Sequence, residues 1–156
     1  FANGTHYMLV NGDNVEPKDS IEKIIRNVNK ADIIIPYFGK NDKRSFNRKL
    51  ISNIFTLIVN LISGNRLKYY NGPVLHKIDN IMRFRSETVG YGYQAELLCW
   101  CLKNKLSFIE VAITNADRER GVTKAFSLIN IFSIFTSLML IFIRRLINIF
   151  KVIFRI

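Results

Sequence analysis

Apolar and polar positions follow two different periods along this chain, and the places where the period switches mark its elements. Tyr7-Met8-Leu9-Val10 is a short apolar run that gives way to Asn11-Gly12-Asp13-Asn14, as a buried strand ending in a loop would. Pro17 leads into Ser20, Ile21, Ile24, Ile25 and Val28 at helical spacing, with Asp19 or Ser20 near the start. Ala31-Asp32-Ile33-Ile34-Ile35 is compact and β-branched, which predicts a second strand closed by Pro36. Strand, helix and strand of these lengths make a βαβ unit of a mostly parallel sheet. Such sheets bind ligands beyond the carboxyl ends of their strands, and Asp13 stands at one such end.

A polar stretch, Lys40-Asn41-Asp42-Lys43-Arg44, precedes a long helical pattern over residues 46–62, apolar at Leu50, Ile51, Ile54, Leu57, Ile58 and Leu61. Gly64 is placed to end it. Tyr69-Tyr70-Asn71-Gly72-Pro73-Val74-Leu75 predicts a turn and a strand, and residues 79–82 a short helix. Gly90-Tyr91-Gly92-Tyr93-Gln94-Ala95-Glu96 sets an amide and a carboxylate behind two glycines, with an apolar helix over residues 97–102 following at once. Glycines admit positive φ and close approach of the backbone, so this segment is expected to be an active-site loop feeding a helix. Residues 107–113 predict a further strand and residues 117–124 a charged loop.

Residues 125–143 are nearly all apolar, and as a helix they would span roughly 28 Å at the usual rise, against a hydrocarbon core of about 30 Å. Ser127, Asn130, Ser133 and Ser137 draw one polar stripe along it. Arg144-Arg145 and then Leu146 to Arg155 continue as a cationic amphipathic pattern, the kind that lies in a membrane interface with basic residues at anionic head groups. Membrane association is expected for residues 125–156, with spanning and lying flat both left open.

Composition narrows the partners. The 156 residues suffice for one domain, and a hydrophobic fraction of 49% suffices for a core. The start at Phe1, inside an apparent element, suggests a chain lacking its N-terminal part. A net charge of +11 calls for a polyanionic partner: nucleic acid, an anionic membrane or phosphorylated substrates. No zinc finger, RNP motif or helix-turn-helix accompanies the basic residues, so no nucleic acid is expected. Cys99 and Cys101, two apart on a helix, point to different faces and do not pair; they are read as buried free thiols.

Taken in order, these segments resemble the second half of the catalytic domain of family 2 glycosyltransferases, of the dolichyl- or polyprenyl-phosphate sugar transferase kind. Asn11-Gly12-Asp13-Asn14 is similar to the family's metal-holding motif, and Pro17 to its proline. Arg48 and Ser52 match its Arg-x-x-x-Ser, and Asn71 and Gly72 its Asn-Gly strand. Residues 90–96 match its aromatic-glycine run ending in Gln-Ala-Glu, and Arg118, Gly121, Thr123 and Lys124 its basic segment. Asn11 replaces the first carboxylate of an Asp-x-Asp motif, leaving Asp13 as the clear acidic ligand. The resemblance implies a GT-A-type, Rossmann-like α/β fold, N-terminally incomplete over residues 1–124, with a hydrophobic helical tail over 125–156. It implies metal-dependent, inverting transfer of a sugar from a nucleotide-sugar donor to a polyprenyl-phosphate or similar membrane acceptor, at the cytoplasmic face of a membrane.

That chemistry assigns roles. Asp13, with Asn14 or Asn11, offers the hard oxygens that Mg²⁺ or Mn²⁺ prefers, and the metal would act as Lewis acid on the departing diphosphate. Arg118 and Lys124 add fixed positive charge where negative charge develops. Arg44, Arg48 and Ser52 are suited to a second phosphate. Glu96 would orient sugar hydroxyls or acceptor, with Gln94 beside it, or act as general base for a hydroxyl acceptor. Plainer readings stay open: Asp13 as a turn or capping residue, Glu96 as a first-turn residue complementing the helix dipole, Arg44 and Arg48 as a solvated face, the tyrosines as packing groups. His6 and His76 have no partner pattern. Two other classes remain, a non-catalytic membrane-binding remnant and a basic nucleic-acid module, and homo-oligomerisation is left open.

Overall fold

A computed structural model describes residues 4–10, 16–39, 42–87, 90, 92–115 and 128–154. The elements run β1 (His6–Met8), α1 (Lys18–Ile25), β2 (Ile33–Phe38), α2 (Phe46–Ser63), β3 (Leu75–Lys77), α3 (Ile78–Arg83), α4 (Tyr93–Lys103), β4 (Phe108–Ile113) and α5 (Leu128–Phe154). The fold is mixed α/β around one sheet of order β1-β3-β2-β4.

The expected mostly parallel sheet is instead mixed. β2 and β4 pair in parallel, whereas β3 lies antiparallel to both β1 and β2. The βαβ unit exists, but its two strands are not neighbours, because β3 enters between them from the opposite direction. β1, β2 and β4 therefore share one direction and end at the same edge of the sheet.

Pro36 does not close β2, which continues to Phe38. The hydrogen bonds explain why. Ile33 N–H donates to Ser107 O and Gly39 N–H to Ile113 O, so the odd-numbered amides of β2 face β4. Even-numbered positions face β3, whose pairing with β2 stops at Ile34. The missing N–H of Pro36 thus falls where the ladder has already ended, and costs no bond.

Strand alternation splits the core in two. Ile33 and Ile35 face a larger cluster with Val59 of α2, Ala95, Leu97, Leu98 and Cys101 of α4, and Ile141 of α5. Ile34 faces the other side, with Ile24 of α1 and Val111 and Ile113 of β4. α1 is tied there through its polar side: Ser20 Oγ donates to Thr114 O at 2.7 Å and Lys23 Nζ to Ala112 O at 2.6 Å. α2 ends as expected at Gly64, whose φ of 77° suits glycine. Asn60 then clamps the following chain, donating to Leu67 O and accepting from Leu67 N–H and the Tyr70 hydroxyl.

His76 is buried in β3 with neither ring nitrogen bonded to a described residue, and burial lowers its pKa to about 4. Burial likewise raises the Cys99 and Cys101 thiols to about 12. Both are free and protonated at neutral pH, as the sequence suggested.

At the amino end of the sheet, Asp32 links three strands. Its carboxylate accepts from Lys77 Nζ at 2.8 Å, Ser107 N–H at 2.9 Å and Ser107 Oγ at 2.6 Å. The Lys77 hydrogen bond first, and then those of Ser107, lower its pKa to about 2. The native state binds this proton less readily than the unfolded chain, so the stabilisation is full above the ordinary carboxylate value of 3.8 and fades as pH falls towards 2. Asp32→Ala is expected to cost about 1–2 kcal/mol in urea unfolding at pH 7. The gap between variant and parent should narrow at pH values approaching 2; an equal gap at both pH values would refute the link.

Candidate functional site

Two polar clusters stand out, and they are separate. The first lies at the carboxyl edge of the sheet. Arg44 forms an ion pair with Asp42 at 2.8 Å, and its guanidinium carbon sits 4.2 Å from the centre of the Phe38 ring and 5.3 Å from that of Tyr69. Arg44 Nη1 also donates to the Tyr69 hydroxyl at 3.2 Å and to Ser52 Oγ at 3.4 Å. Burial pushes the Asp42 carboxyl up, but the hydrogen bonds and charge of Arg44 outweigh it and hold it below the usual carboxylate value. Burial raises the Tyr69 phenol. Asn115, just past β4, accepts from Lys43 N–H at 3.3 Å and joins the two strand ends.

Sequence reasoning thus brought Arg44 and Ser52 together correctly, but missed Asp42. The partner was one residue from Lys43 and two from Arg44, and only the fold shows which cation it holds. Arg48 is half-buried one helical turn before Ser52 on α2. Asn71 is exposed, while Gly72 packs against β2: a Cβ there would lie 2.9 Å from Pro36 Cγ. The glycine serves a turn pressed on the strand.

The second cluster surrounds Glu96. α4 begins at Tyr93, so Gln94, Ala95 and Glu96 are in its first turn. The glycine segment's role also differs from the expected approach to a ligand. A Cβ on Gly90, whose φ is 105°, would lie 2.8 Å from Ser133 Oγ, and one on Gly92 would overlap the Ser137 side chain. The glycines admit α5, and two members of the polar stripe, Ser133 and Ser137, are what they admit. Ser137 is almost fully buried.

Glu96 is fully buried and accepts from Arg144 Nη1 at 2.8 Å; Arg144 Nη2 also reaches Glu87 Oε1 at 3.0 Å. Next to it, Arg145 Nη1 donates to Leu61 O at 2.6 Å and lies over Gly64. α5 is thereby fastened to α4 and to the end of α2. Glu96 lines a cavity that none of Arg44, Ser52, Asn71 and Gly72 lines. Gln94 is buried with its Nε2 unbonded among the described residues.

Asn11, Asp13 and Asn14, the expected metal ligands, and Arg118 and Lys124 lie outside the described residues. Among the described residues no group of His, Cys, Asp and Glu is arranged to hold a metal ion. Sequence length and chemistry suggested that residues 125–143 could span a membrane; among the described residues, no helix is long and apolar enough to do so. No protein-family model matches this chain, and no curated protein is significantly similar to it.

The α4–α5 joint makes a stability prediction. Arg144→Ala leaves Glu96 buried without its cation and should cost about 3 kcal/mol, within the low end of the range for broken buried pairs. Gly92→Ala should cost about 1–3 kcal/mol through overpacking against Ser137, and adding Ser137→Gly should restore part of it despite the helix penalty of about 1 kcal/mol. Thermal unfolding of the two singles and the double checks this; a Gly92→Ala protein as stable as its parent would contradict the packing.

Proposed function

We propose that this chain forms part of a metal-dependent inverting glycosyltransferase, moving a sugar from a nucleotide-sugar to a polyprenyl-phosphate or similar acceptor at a membrane surface. One observation carries the reading. β1, β2 and β4 end at a single edge of the sheet, where the Arg44–Ser52 group stands; in sequence the metal-like motif follows β1 and the basic motif follows β4. Ligand sites of open α/β sheets lie beyond such ends.

In this reading Asp13, with Asn11 or Asn14, would hold Mg²⁺ or Mn²⁺, which would supply Lewis acidity for departure of a diphosphate. Arg118 and Lys124 offset charge on that leaving group. Arg44, already neutralised by Asp42, fixes the entry to α2 and sets Ser52; Arg48 stands one turn before Ser52 on the same helix. A phosphate acceptor is an anion at neutral pH and needs no general base. Glu96 accordingly serves here as the buried anchor of α5.

The membrane part rests on α2 and α5 together. Both helices pack on the body and on each other, yet leave large apolar side chains in solvent: Leu57 at 58% exposure on α2, and Phe132 at 71%, Phe135 at 59% and Phe150 at 58% on α5. Lys151 and the overall positive charge favour an anionic lipid surface. The helix would lie in the interface, since Arg144 and Arg145 are occupied by the protein body.

Two measurements test the proposal on the full-length protein. Asp13→Ala should abolish Mg²⁺- or Mn²⁺-dependent transfer of labelled sugar to polyprenyl phosphate; undiminished turnover would rule out the metal role. Phe132→Glu/Phe135→Glu, or Leu57→Glu on α2, should reduce flotation with vesicles containing anionic lipid several-fold while leaving thermal unfolding close to the parent's. Equal flotation of parent and variants would refute the two-helix surface.

A further inference from the structure

The cavity beside Glu96 carries chemistry that sugar transfer at the sheet edge does not use. We propose that it is a phosphate-binding site, separate from that edge and independent of the sugar-transfer reading. The cavity measures about 490 Å³, and Arg83, Arg85, Lys103, Arg144 and Arg145 line it against one lining carboxylate, Glu96. These come from four places in the chain: the end of α3, the segment just after it, the last turn of α4 and the middle of α5. Convergence of that kind comes from the fold and is not a run of basic sequence.

The cations differ in how much of their charge is already used. Arg144 is committed to Glu96 and Glu87, and Arg145 to the Leu61 carbonyl. Arg83, Arg85 and Lys103 are exposed and make no ion pair or hydrogen bond among the described residues. Arg83 and Lys103 each stand in the last turn of their helix, where a cation also complements the dipole. The dipole gives no reason for Arg85, or for all of these groups opening on one cavity, where they repel one another. An anion relieves that repulsion.

The geometry selects the kind of anion. Guanidinium groups offer paired donors that match a phosphate's oxygens, and Asn65 and Asn148 add amides at the cavity wall. The volume exceeds that of a lone phosphate and suits a phosphate ester or a diphosphate. Trp100 gives the site one flat apolar wall, fit for the organic part of such an ester. The phosphate has two sources to come from: a lipid head group, since α5 also carries the exposed apolar face, or a soluble phosphorylated molecule.

Trp100 is the chain's single tryptophan, so its fluorescence reports on the cavity directly. The full chain is titrated at low ionic strength with inorganic phosphate and pyrophosphate, and separately with phosphatidylcholine vesicles with and without phosphatidic acid. A saturable emission change is expected, weakened about tenfold or more by Arg83→Gln/Arg85→Gln and also weakened by Lys103→Gln. Lys18→Gln, on the opposite side of the sheet, should leave it unchanged. These side chains bond nothing among the described residues, so thermal unfolding should match the parent, and Lys103→Gln serves alone if the double variant fails to fold. Saturation by free phosphate or pyrophosphate with no effect of phosphatidic acid assigns the soluble source. A response only to phosphatidic acid vesicles, lost in the Arg83/Arg85 variant while flotation persists, assigns the head group. No saturable response in any arm, or one untouched by the substitutions, overturns the site.

Discussion

The buried contact between Glu96 and Arg144 is the constraint from which the helical side of this molecule follows. A carboxylate removed from water needs a partner, and the partner arrives from a helix far along the chain. Once Arg144 is held, α5 must cross the start of α4, and Ser137 lands on Gly92. Neither residue has room for a larger neighbour. Arg145 then falls on the end of α2, and three helices close over the Ile33 and Ile35 face of the sheet. The result is a run from Gln94 to Leu98 that is buried on consecutive positions, which no amphipathic helix lying on a sheet alone would show.

That docking separates two surfaces with different chemistry. One is the carboxyl edge of the sheet, where Arg44 is neutralised by Asp42 and stacked between aromatic rings. The other is the cavity walled by α3, α4 and α5, where cations are gathered and several stay unpaired among the described residues. Charge that is spent on structure differs from charge left for a ligand, and the first cluster has spent more of its own. From sequence Arg44 stands with Arg48 and Ser52 as a phosphate-binding candidate or a solvated face; its geometry makes it a brace.

Much of the fold was legible because local signals agreed with it. Gly64 ended α2, residues 107–113 marked β4, and the β-branched run of Ile33 to Ile35 marked β2, although three isoleucines in a row do not tell which core each faces. What sequence could not give was pairing between distant segments. The stripe of Ser133 and Ser137 and the glycines at 90 and 92 were both visible, but nothing local says that small hydroxyls on one helix fit against missing side chains on another loop. The same limit hid the place of β3: a strand is expected there, but it carries no mark of direction, so a unit of two parallel strands gave no hint that an antiparallel one lies between them. Pro36 misled for a related reason. Whether a proline ends a strand depends on which side of it a neighbour continues, and that is a property of the sheet. At the candidate site, Arg44 and Ser52 group as possible phosphate ligands on their chemistry and do meet, whereas nothing in the sequence sets Arg144 beside Glu96.

The residues of α5 divide between a docked face and an exposed apolar one. Ser133, Ser137 and the two arginines face the protein, and its phenylalanines face outward, so positions that would interrupt a membrane span are the ones that hold the helix in place. A helix with those arginines taken up by Glu96, Glu87 and the Leu61 carbonyl has little freedom to turn and insert across a bilayer. It can present a hydrophobic face only sideways, next to that of α2. The cationic cavity then opens beside the same helix that bears the apolar face, and phosphate and hydrocarbon are the two parts of a single lipid. This shared placement gives the head-group source its physical appeal, and it does so through the position of α5 alone, whatever chemistry takes place at the far edge of the sheet.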